Sequence, residues 1–253
     1  MNSYETEVRK ELEAWKKKMT KSPSLANRFS KGLQTRINKI IPEKVHQAIT
    51  SAIKQMIRGV LTGAGMTNPP TLIDAPFEQR ELMARNKITT YRNTATAEGA
   101  LTGAAGILLG LADFPLWLTV KMKMLFEVAA LYGYDVKDYR ERLFLLDVFQ
   151  LTFSSDEYRI KTFSKLEYWE EYKHELPATM HDFDWRSFQQ EYRDYIDLAK
   201  LLQLIPGIGA VVGAYVNHRL TQKLGDNAMM CYRMRRFTSP QSTFHNRAVD
   251  SQW

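Results

Sequence analysis

Apolar side chains recur every three or four residues along most of this chain, a spacing that places them on one face of an α-helix. Three such stretches follow one another before residue 61 and predict three amphipathic helices. Their apolar positions are Tyr4, Val8, Leu12, Trp15 and Met19, then Leu25, Phe29, Leu33, Ile37 and Ile40, then Val45, Ile49, Ile53, Met56 and Val60. No alternation of apolar and polar residues is long enough to predict a sheet, so the sequence predicts an all-α fold.

The most apolar part of the chain, residues 91–134, is punctuated by glycine at helical spacing. Asp113 and Pro115 carry helix-start signals, so we expect a helical hairpin that restarts there, either buried or facing lipid. A second glycine-rich stretch predicts a helix that ends near Gly225, after which Asp226 caps another helix. Small residues at this spacing let two helix backbones approach closely. The glycines expected to do so are Gly99, Gly103, Gly106, Gly110, Gly209 and Gly213.

The rest of the chain completes a single helical domain. Residues 1–76 hold the basic amphipathic helices and a loop rich in proline and glycine, and residues 77–237 form the main helical region. Within it, charges alternate with aromatic residues over about 154–197, which predicts amphipathic helices covering the core from outside. Residues 238–253 show no periodicity and are expected to form a flexible tail.

The net charge of +7 is unevenly distributed. Residues 1–60 carry 13 Lys and Arg against 5 Asp and Glu, residues 61–218 carry 16 against 21, and residues 219–253 carry 6 against 2. Basic ends around an acidic middle suggest an anionic partner, either phospholipid headgroups or nucleic acid. Ordinary solubility with charge pairing between the ends and the middle explains the same pattern.

The first predicted helix is a candidate for membrane binding. Its polar face is rich in lysine, with Lys16, Lys17 and Lys18 in a row, and Trp15 could anchor it at a membrane interface. The alternative is a surface helix that packs its apolar stripe on the domain. A single Cys231, a start without an apolar signal segment and the lack of a long uncharged apolar window favour a cytoplasmic protein without a spanning helix.

Several charged residues lie within apolar surroundings and are the best candidates for any site. Lys123 and Glu127 share a helix face, whereas Lys121 points elsewhere and needs a separate partner. They could form a buried ion network between the glycine-rich hairpins, with perturbed carboxylates in a cleft, or a solvated stripe in which Asp113 is only a helix cap. The candidate set is Glu98, Asp113, Lys121, Lys123, Glu127, Asn217 and Arg219.

Other chemistry has weaker support. The glycines at 207–213 lack the strands of a dinucleotide-binding unit, and the single Glu171–His174 spacing is half of a di-iron site. Cys231 has no catalytic neighbours in the sequence and no nucleophile elbow occurs. We therefore expect no cofactor and no metal.

Three phrases carry a family resemblance: AEGALTGAAGILLGLADFPLWL, KMKMLFEVAALYGYD and, from Leu204, LIPGIGAVVGAYVNHRLTQKLGDNAMMCYR. They resemble the EcsC protein family over residues 78–236. The resemblance implies a mostly helical protein and a role beside a two-component ABC transporter linked to protein secretion, because the family's namesake is encoded beside one.

Together these observations predict a non-enzymatic, cytoplasmic, peripheral membrane protein that binds anionic phospholipid or a membrane protein, with ABC transporter subunits as possible partners. The alternative is a hydrolase, such as a peptidase, that uses Asp113, Glu127, Lys121 and Lys123. Nucleic-acid binding ranks third because no binding module is recognised.

Overall fold

A computed structural model describes residues 3–21, 43–103, 107–196 and 210–238. Over these ranges the chain forms nine α-helices and one short 3₁₀ turn, with a single isolated antiparallel bridge between Ser154 and Ile196. The helices are α1 (Ser3–Thr20), α2 (Glu43–Thr62), α3 (Phe77–Gly103), α4 (Ile107–Leu131), α5 (Tyr139–Phe153), α6 (Asp156–Glu167), α7 (Trp169–Glu175), α8 (Trp185–Tyr195) and α9 (Ala210–Thr238), and the 3₁₀ turn is Met180–Asp182. The predicted all-α fold is confirmed.

Among the described helices, α3 and α9 make the most extensive contact with each other. They run in opposite directions. Near the start of α3, Glu81 meets Arg233 close to the end of α9. Eleven residues later in α3, Arg92 donates a hydrogen bond of 2.9 Å to Gln222, eleven residues earlier in α9. Equal steps in opposite directions are what antiparallel helices require.

Helix α4 joins this pair and runs parallel to α9. The hydroxyl of Tyr91 on α3 donates to Glu127 of α4 at 2.8 Å, and Lys121 of α4 donates to Asn217 of α9 at 2.9 Å. As a result, the last turns of α3 and the first turns of α4 and α9 lie at the same end of the bundle. We call it the glycine-rich end.

Helix α5 lies inside the bundle and is buried over nearly its whole length. Its sequence is apolar around most of the helix rather than along one stripe, which is typical of a helix covered on all sides. Asp138 caps it by accepting a hydrogen bond of 2.9 Å from the Arg140 amide. Around it pack α2, α6 and α9, and the aromatic insert contributes Phe163, Trp169 and Tyr192 to the same core.

Two helix boundaries differ from the sequence prediction. Pro115 and Asp113 lie inside α4 rather than at its start, so Asp113 is not a helix cap in this fold. The ring of Pro115 removes one backbone hydrogen bond of α4. Packing of this largely apolar helix offsets the loss, because Phe114, Leu118 and Met122 are all buried.

The second difference is in α9, which continues through Gly225 and Asp226 where a break was expected. Gly225 does not have a positive φ, so it does not act as a helix terminator. A Cβ atom at this position would come within 2.5 Å of the Ile88 side chain. Gly225 is therefore a site of close contact between α3 and α9.

Helix α1 packs its apolar stripe on the domain, with Val8, Leu12 and Met19 buried. Helix α1 is therefore a surface helix that packs its apolar stripe on the domain. The predicted helix at 25–40, the tail from 239 onward, Gly106 and Gly209 lie outside the described residues. Gly99, Gly103, Gly110 and Gly213 lie in helices, but their surroundings are not among those described, so their role in close packing stays a prediction. In the ranges that the structure describes, no helix has both the length and the apolar character needed to cross a bilayer.

Candidate functional site

A groove of about 1060 Å³ lies between α1, α3 and α9. Its lining is strongly cationic, because it includes seven Lys and Arg side chains and only two carboxylates, Glu11 and Asp226. We call it the basic groove. The cationic side chains are Lys18, Arg85, Arg92, Arg159, Arg219, Lys223 and Arg233.

Three walls of the basic groove are helix faces, and Leu151 of α5 and Arg159 of α6 complete its lining. On α9 the lining residues include positions 215, 218, 219, 222, 223, 226, 229, 230 and 233, which is the spacing of neighbours on a helix surface. Helix α3 contributes 85, 88, 89 and 92 in the same way, and α1 contributes 11, 15, 18 and 19. The hydrogen bond between Arg92 and Gln222 joins two of these walls.

The deepest cation of the basic groove is Arg233, which is 1% exposed. Its guanidinium donates two hydrogen bonds to the carboxylate of Glu81, of 2.5 and 2.6 Å, and one of 2.7 Å to Glu11. Burial would raise the pKa of Glu81, but hydrogen bonds from Arg233 and from the hydroxyls of Tyr4 and Tyr132 lower that pKa below its ordinary value. Glu81 is thus a buried carboxylate that stays ionised, and it neutralises Arg233.

Other cations of the basic groove remain open to solvent. The Arg85 side chain is 51% exposed and forms a longer ion pair, of 3.6 Å, with Glu81 one turn earlier in α3. Lys18 and Arg219 are also exposed. Arg233 is buried and paired, so the positive charge that reaches solvent comes from these exposed side chains.

A second buried ion pair lies next to the first. Arg235 contacts the carboxylate of Glu141 at 2.7 Å, and its guanidinium lies 3.9 Å from the ring centre of Tyr134. Burial would lower the pKa of Arg235, but Glu141 and the surrounding tyrosines raise it. Tyr132 donates a hydrogen bond to Glu81 of the first ion pair, and the Tyr134 ring packs on Arg235 of the second. Gly133 lies between them with a φ of +93°, a conformation that favours glycine. The Tyr-Gly-Tyr phrase of the family resemblance therefore has a structural role.

The polar candidates from the sequence are only partly brought together. Lys121 is 1% exposed and donates to Asn217 at 2.9 Å and to Thr221 at 2.6 Å, while its ammonium lies 4.0 Å from the ring centre of Trp117. The indole of Trp117 also donates to Asn217, at 2.6 Å. Lys121 and Asn217 thus share a buried polar cluster, and Asn217 and Thr221 are the separate partners that Lys121 needs.

The remaining members of that set lie elsewhere. Glu127 is half-buried and is held by Tyr91 and by Lys87, whose ammonium is 2.7 Å away. Lys123 is partly buried on the same helix, and Arg219 lines the basic groove. The side chains of Glu98 and Asp113 are outside those the structure describes.

The proposed membrane-binding residues of α1 divide into two groups. Trp15 lines the basic groove, donates to Asn227 at 3.1 Å and packs edge-on against Phe163, so its ring is engaged within the fold. Lys16 forms an ion pair of 2.8 Å with Glu167. Lys17 and Lys18 are exposed, and of these Lys18 faces the basic groove.

Sequence reasoning missed Glu81, Arg233, Glu141 and Arg235. A usable signal was present for Glu81, because it occupies a position on the apolar stripe of α3 that otherwise holds Phe77, Ala84 and Ile88. A charge at such a position must be paired if the helix is packed. Among the described side chains, no group of three or more His, Cys, Asp or Glu is arranged to hold a metal ion.

Comparison with known proteins adds a family. Residues 6–237 match the model of the EcsC protein family. The chain is 45% identical to Protein EcsC of Bacillus subtilis (strain 168) over 222 residues, which cover 87% of this chain and 91% of that protein. It is 30% identical to Uncharacterized protein YdbA of the same organism over 162 residues, 64% of this chain and 60% of that protein. No solved structure matches.

Proposed function

Because the chain belongs to the EcsC protein family, matching it over residues 6–237, we propose that it is a non-enzymatic peripheral membrane protein of the cytoplasm, which docks on anionic phospholipid through the basic groove. The observation that carries this proposal is the concentration of seven cationic side chains, against two carboxylates, in one groove. Six of the seven lie on faces of α1, α3 and α9, and Arg159 comes from α6. In this account the headgroup phosphates occupy the mouth of the groove.

The chemistry of the groove mouth suits phosphate. Arg85 and Arg219 carry planar guanidinium groups, which bind phosphate oxygens in a forked geometry, and Lys18 adds a point charge. Each Lys or Arg close to an anionic leaflet contributes about 1 kcal/mol to binding. Three such residues therefore contribute about 3 kcal/mol, and the other cations of the groove add to this reversible attraction.

The remaining choice is between lipid and nucleic acid as the anionic partner. The groove lining includes apolar side chains of Trp15, Ile88 and Tyr215 between its cations, and Tyr215 is 63% exposed. Tyrosine is enriched at membrane–water interfaces, where its ring lies at the level of the headgroups, and this favours lipid. A role beside an ABC transporter, implied by the family resemblance, would follow from the same location, because a docked protein is held next to membrane-embedded partners.

Vesicle flotation tests this proposal. The full-length protein should float with vesicles that contain phosphatidylglycerol and stay at the bottom with pure phosphatidylcholine, and rising salt should release it. Changing Lys18, Arg85 and Arg219 together to Ala should weaken binding by roughly 100-fold, since about 3 kcal/mol of attraction is lost.

A matched variant distinguishes binding through the groove from binding through the net charge of the protein. Lys44, Lys54 and Arg58 are exposed on α2, which packs against α4 and α5 and does not line the groove. Changing these three to Ala removes the same charge and should leave most of the binding. Equal loss in both triple variants, or no flotation of the wild-type protein at low salt, would show that the basic groove is not a lipid site.

A further inference from the structure

The solvent-exposed cations of the basic groove lie in a row along its length. Ile88 of α3 packs against Gly225 of α9, so Arg85, three residues earlier in α3, is level with about residue 228 of the antiparallel α9. Arg219 lies nine residues before that level, which is about 14 Å at the rise of about 1.5 Å per residue in an α-helix. A single phosphate group is too small to contact both ends of this row.

A carboxylate interrupts the row of cations. Asp226 lines the groove between the two ends of the row, and Gln222 donates a hydrogen bond of 2.8 Å to it. Partial burial raises the pKa of Asp226, whereas Arg85, Arg233 and Arg92 lie close enough for their charges to oppose this shift. Along its length the groove therefore presents positive charge, then a hydrogen-bond acceptor, then positive charge again.

Helix α1 adds a cation from the third wall. It also runs antiparallel to α9, because Glu11 accepts a hydrogen bond from Arg233 and Trp15 donates one to Asn227. Lys18, three residues after Trp15, is therefore level with the middle of the row, within about one helical turn of the carboxylate. An anion on either side of that carboxylate is within reach of Lys18.

The row of cations is short. Beyond Arg85 the lining continues to Glu11, whose side chain is 46% exposed, and beyond Arg219 it ends at the ring of Tyr215. A long polyanion that extended past Arg85 would meet the Glu11 carboxylate, and a repulsive contact of this kind discriminates between partners. The groove therefore favours a short anion over nucleic acid.

We propose that the basic groove recognises a headgroup with two phosphates joined by a short bridge that carries a hydroxyl. One phosphate binds Arg219 and Lys223, the other binds Arg85, and the bridging hydroxyl donates a hydrogen bond to Asp226. Cardiolipin has this chemistry, because a glycerol with one free hydroxyl joins its two phosphates, whereas phosphatidylglycerol has one phosphate. This inference rests on the proposed function and adds the class of headgroup.

Vesicles of equal phosphate content test the inference. Cardiolipin at half the molar content of phosphatidylglycerol presents the same number of phosphates. The full-length protein should bind the cardiolipin vesicles roughly tenfold more tightly or better, because binding of the first phosphate holds the second beside the groove.

Soluble headgroups show whether the groove recognises the headgroup itself or a property of the bilayer. Deacylated cardiolipin keeps both phosphates and the bridging hydroxyl. It should release the protein from cardiolipin vesicles at a concentration roughly tenfold lower than deacylated phosphatidylglycerol requires.

Three variants test the assignment of residues, with the ratio of the two vesicle affinities as the readout. Arg85→Ala removes one end of the row and should bring the ratio close to one. Asp226→Ala should strengthen binding to phosphatidylglycerol, because a negative charge is lost, and yet lower the ratio, because the acceptor for the hydroxyl is lost. Arg58→Ala is the matched control for Arg85→Ala, since Arg58 is exposed on α2 and does not line the groove, and it should leave the ratio unchanged.

The outcomes separate this inference from the proposal that it rests on. Equal binding to the two lipids at equal phosphate content would show that recognition of two phosphates is wrong and would leave docking on anionic lipid intact. A cardiolipin preference that persists in Arg85→Ala, or that deacylated cardiolipin does not compete away, would also overturn the inference. If the protein floats with neither lipid, the proposed function fails and the inference fails with it.

Discussion

Replacement of Gly225 by Ala tests how closely α3 and α9 are packed. The new Cβ would lie 2.5, 2.7 and 2.9 Å from three side-chain carbons of Ile88. Ile88 is 1% exposed, and as a β-branched residue in a helix it has one strongly preferred rotamer, so it has little room to move away. Overpacking of this kind costs about 1–3 kcal/mol, whereas Ala in a helix interior gains about 1 kcal/mol over Gly.

A second glycine in a helix provides the control. At Gly59 in α2 the nearest atom to a new Cβ is a carbonyl oxygen at 3.4 Å, an ordinary contact. The difference in unfolding free energy between Gly225→Ala and Gly59→Ala therefore isolates the overpacking, because the gain in helix propensity is common to both. We expect Gly225→Ala to be less stable than Gly59→Ala by about 1–3 kcal/mol in urea unfolding.

The Ile88→Ala background completes the experiment. Removing the three clashing carbons should turn Gly225→Ala from destabilising to neutral or mildly stabilising, which a double-mutant cycle would record as a coupling energy. If Gly225→Ala is as stable as Gly59→Ala, or if Ile88→Ala does not change its effect, then α3 and α9 are not in close contact at this point.

Other predictions concern buried groups and turns. Arg233→Met should lower the unfolding free energy by about 3–5 kcal/mol because it leaves the buried Glu81 carboxylate without its guanidinium partner, and adding Glu81→Leu should recover most of this loss in urea unfolding. The pKa of Glu81 is lowered in the fold, so its ionised carboxylate adds to the free energy of unfolding at any pH above its unfolded pKa. This contribution is lost as pH falls through the folded pKa. The double variant Arg233→Met, Glu81→Leu should therefore lose less stability in acid than the wild-type protein. Burial raises the pKa of Cys231, so its thiol should resist a water-soluble disulfide reagent until the protein unfolds, and rapid reaction in buffer would contradict its burial. Gly133→Ala should cost about 1–3 kcal/mol and more than Gly65→Ala, because both glycines have positive φ but only Gly133 lies close to another side chain; equal thermal melting of the two variants would contradict this.

The helices could be predicted from periodicity because apolar spacing directly reflects the buried face of each one. Their ends were less predictable. Pro115 and Gly225 are breakers by local propensity, yet both lie inside long helices, because tertiary packing at Phe114 and Ile88 outweighs the local preference. Local signals therefore located the elements and misplaced two of their boundaries.

The basic groove could not be predicted, because its walls come from helices far apart in the sequence. Lys18, Arg85 and Arg219 become neighbours of one groove only when α1, α3 and α9 pack together. The sequence did show basic ends, but it could not distinguish Lys16, which pairs with Glu167, from Lys18, which faces the groove. Charge counts report the excess of positive charge, whereas its placement depends on tertiary contacts.

Chemical footprinting of lysines tests the central claim most directly, because it reports which face of the folded protein meets the membrane. The protein is acetylated with and without phosphatidylglycerol vesicles, and modification at each lysine is read by mass spectrometry. Docking through the basic groove predicts that vesicles protect Lys18 and Lys223, which line it, and leave Lys44 and Lys54 on α2 as reactive as before. Protection of the α2 lysines with continued reaction at Lys18 and Lys223 would contradict the account.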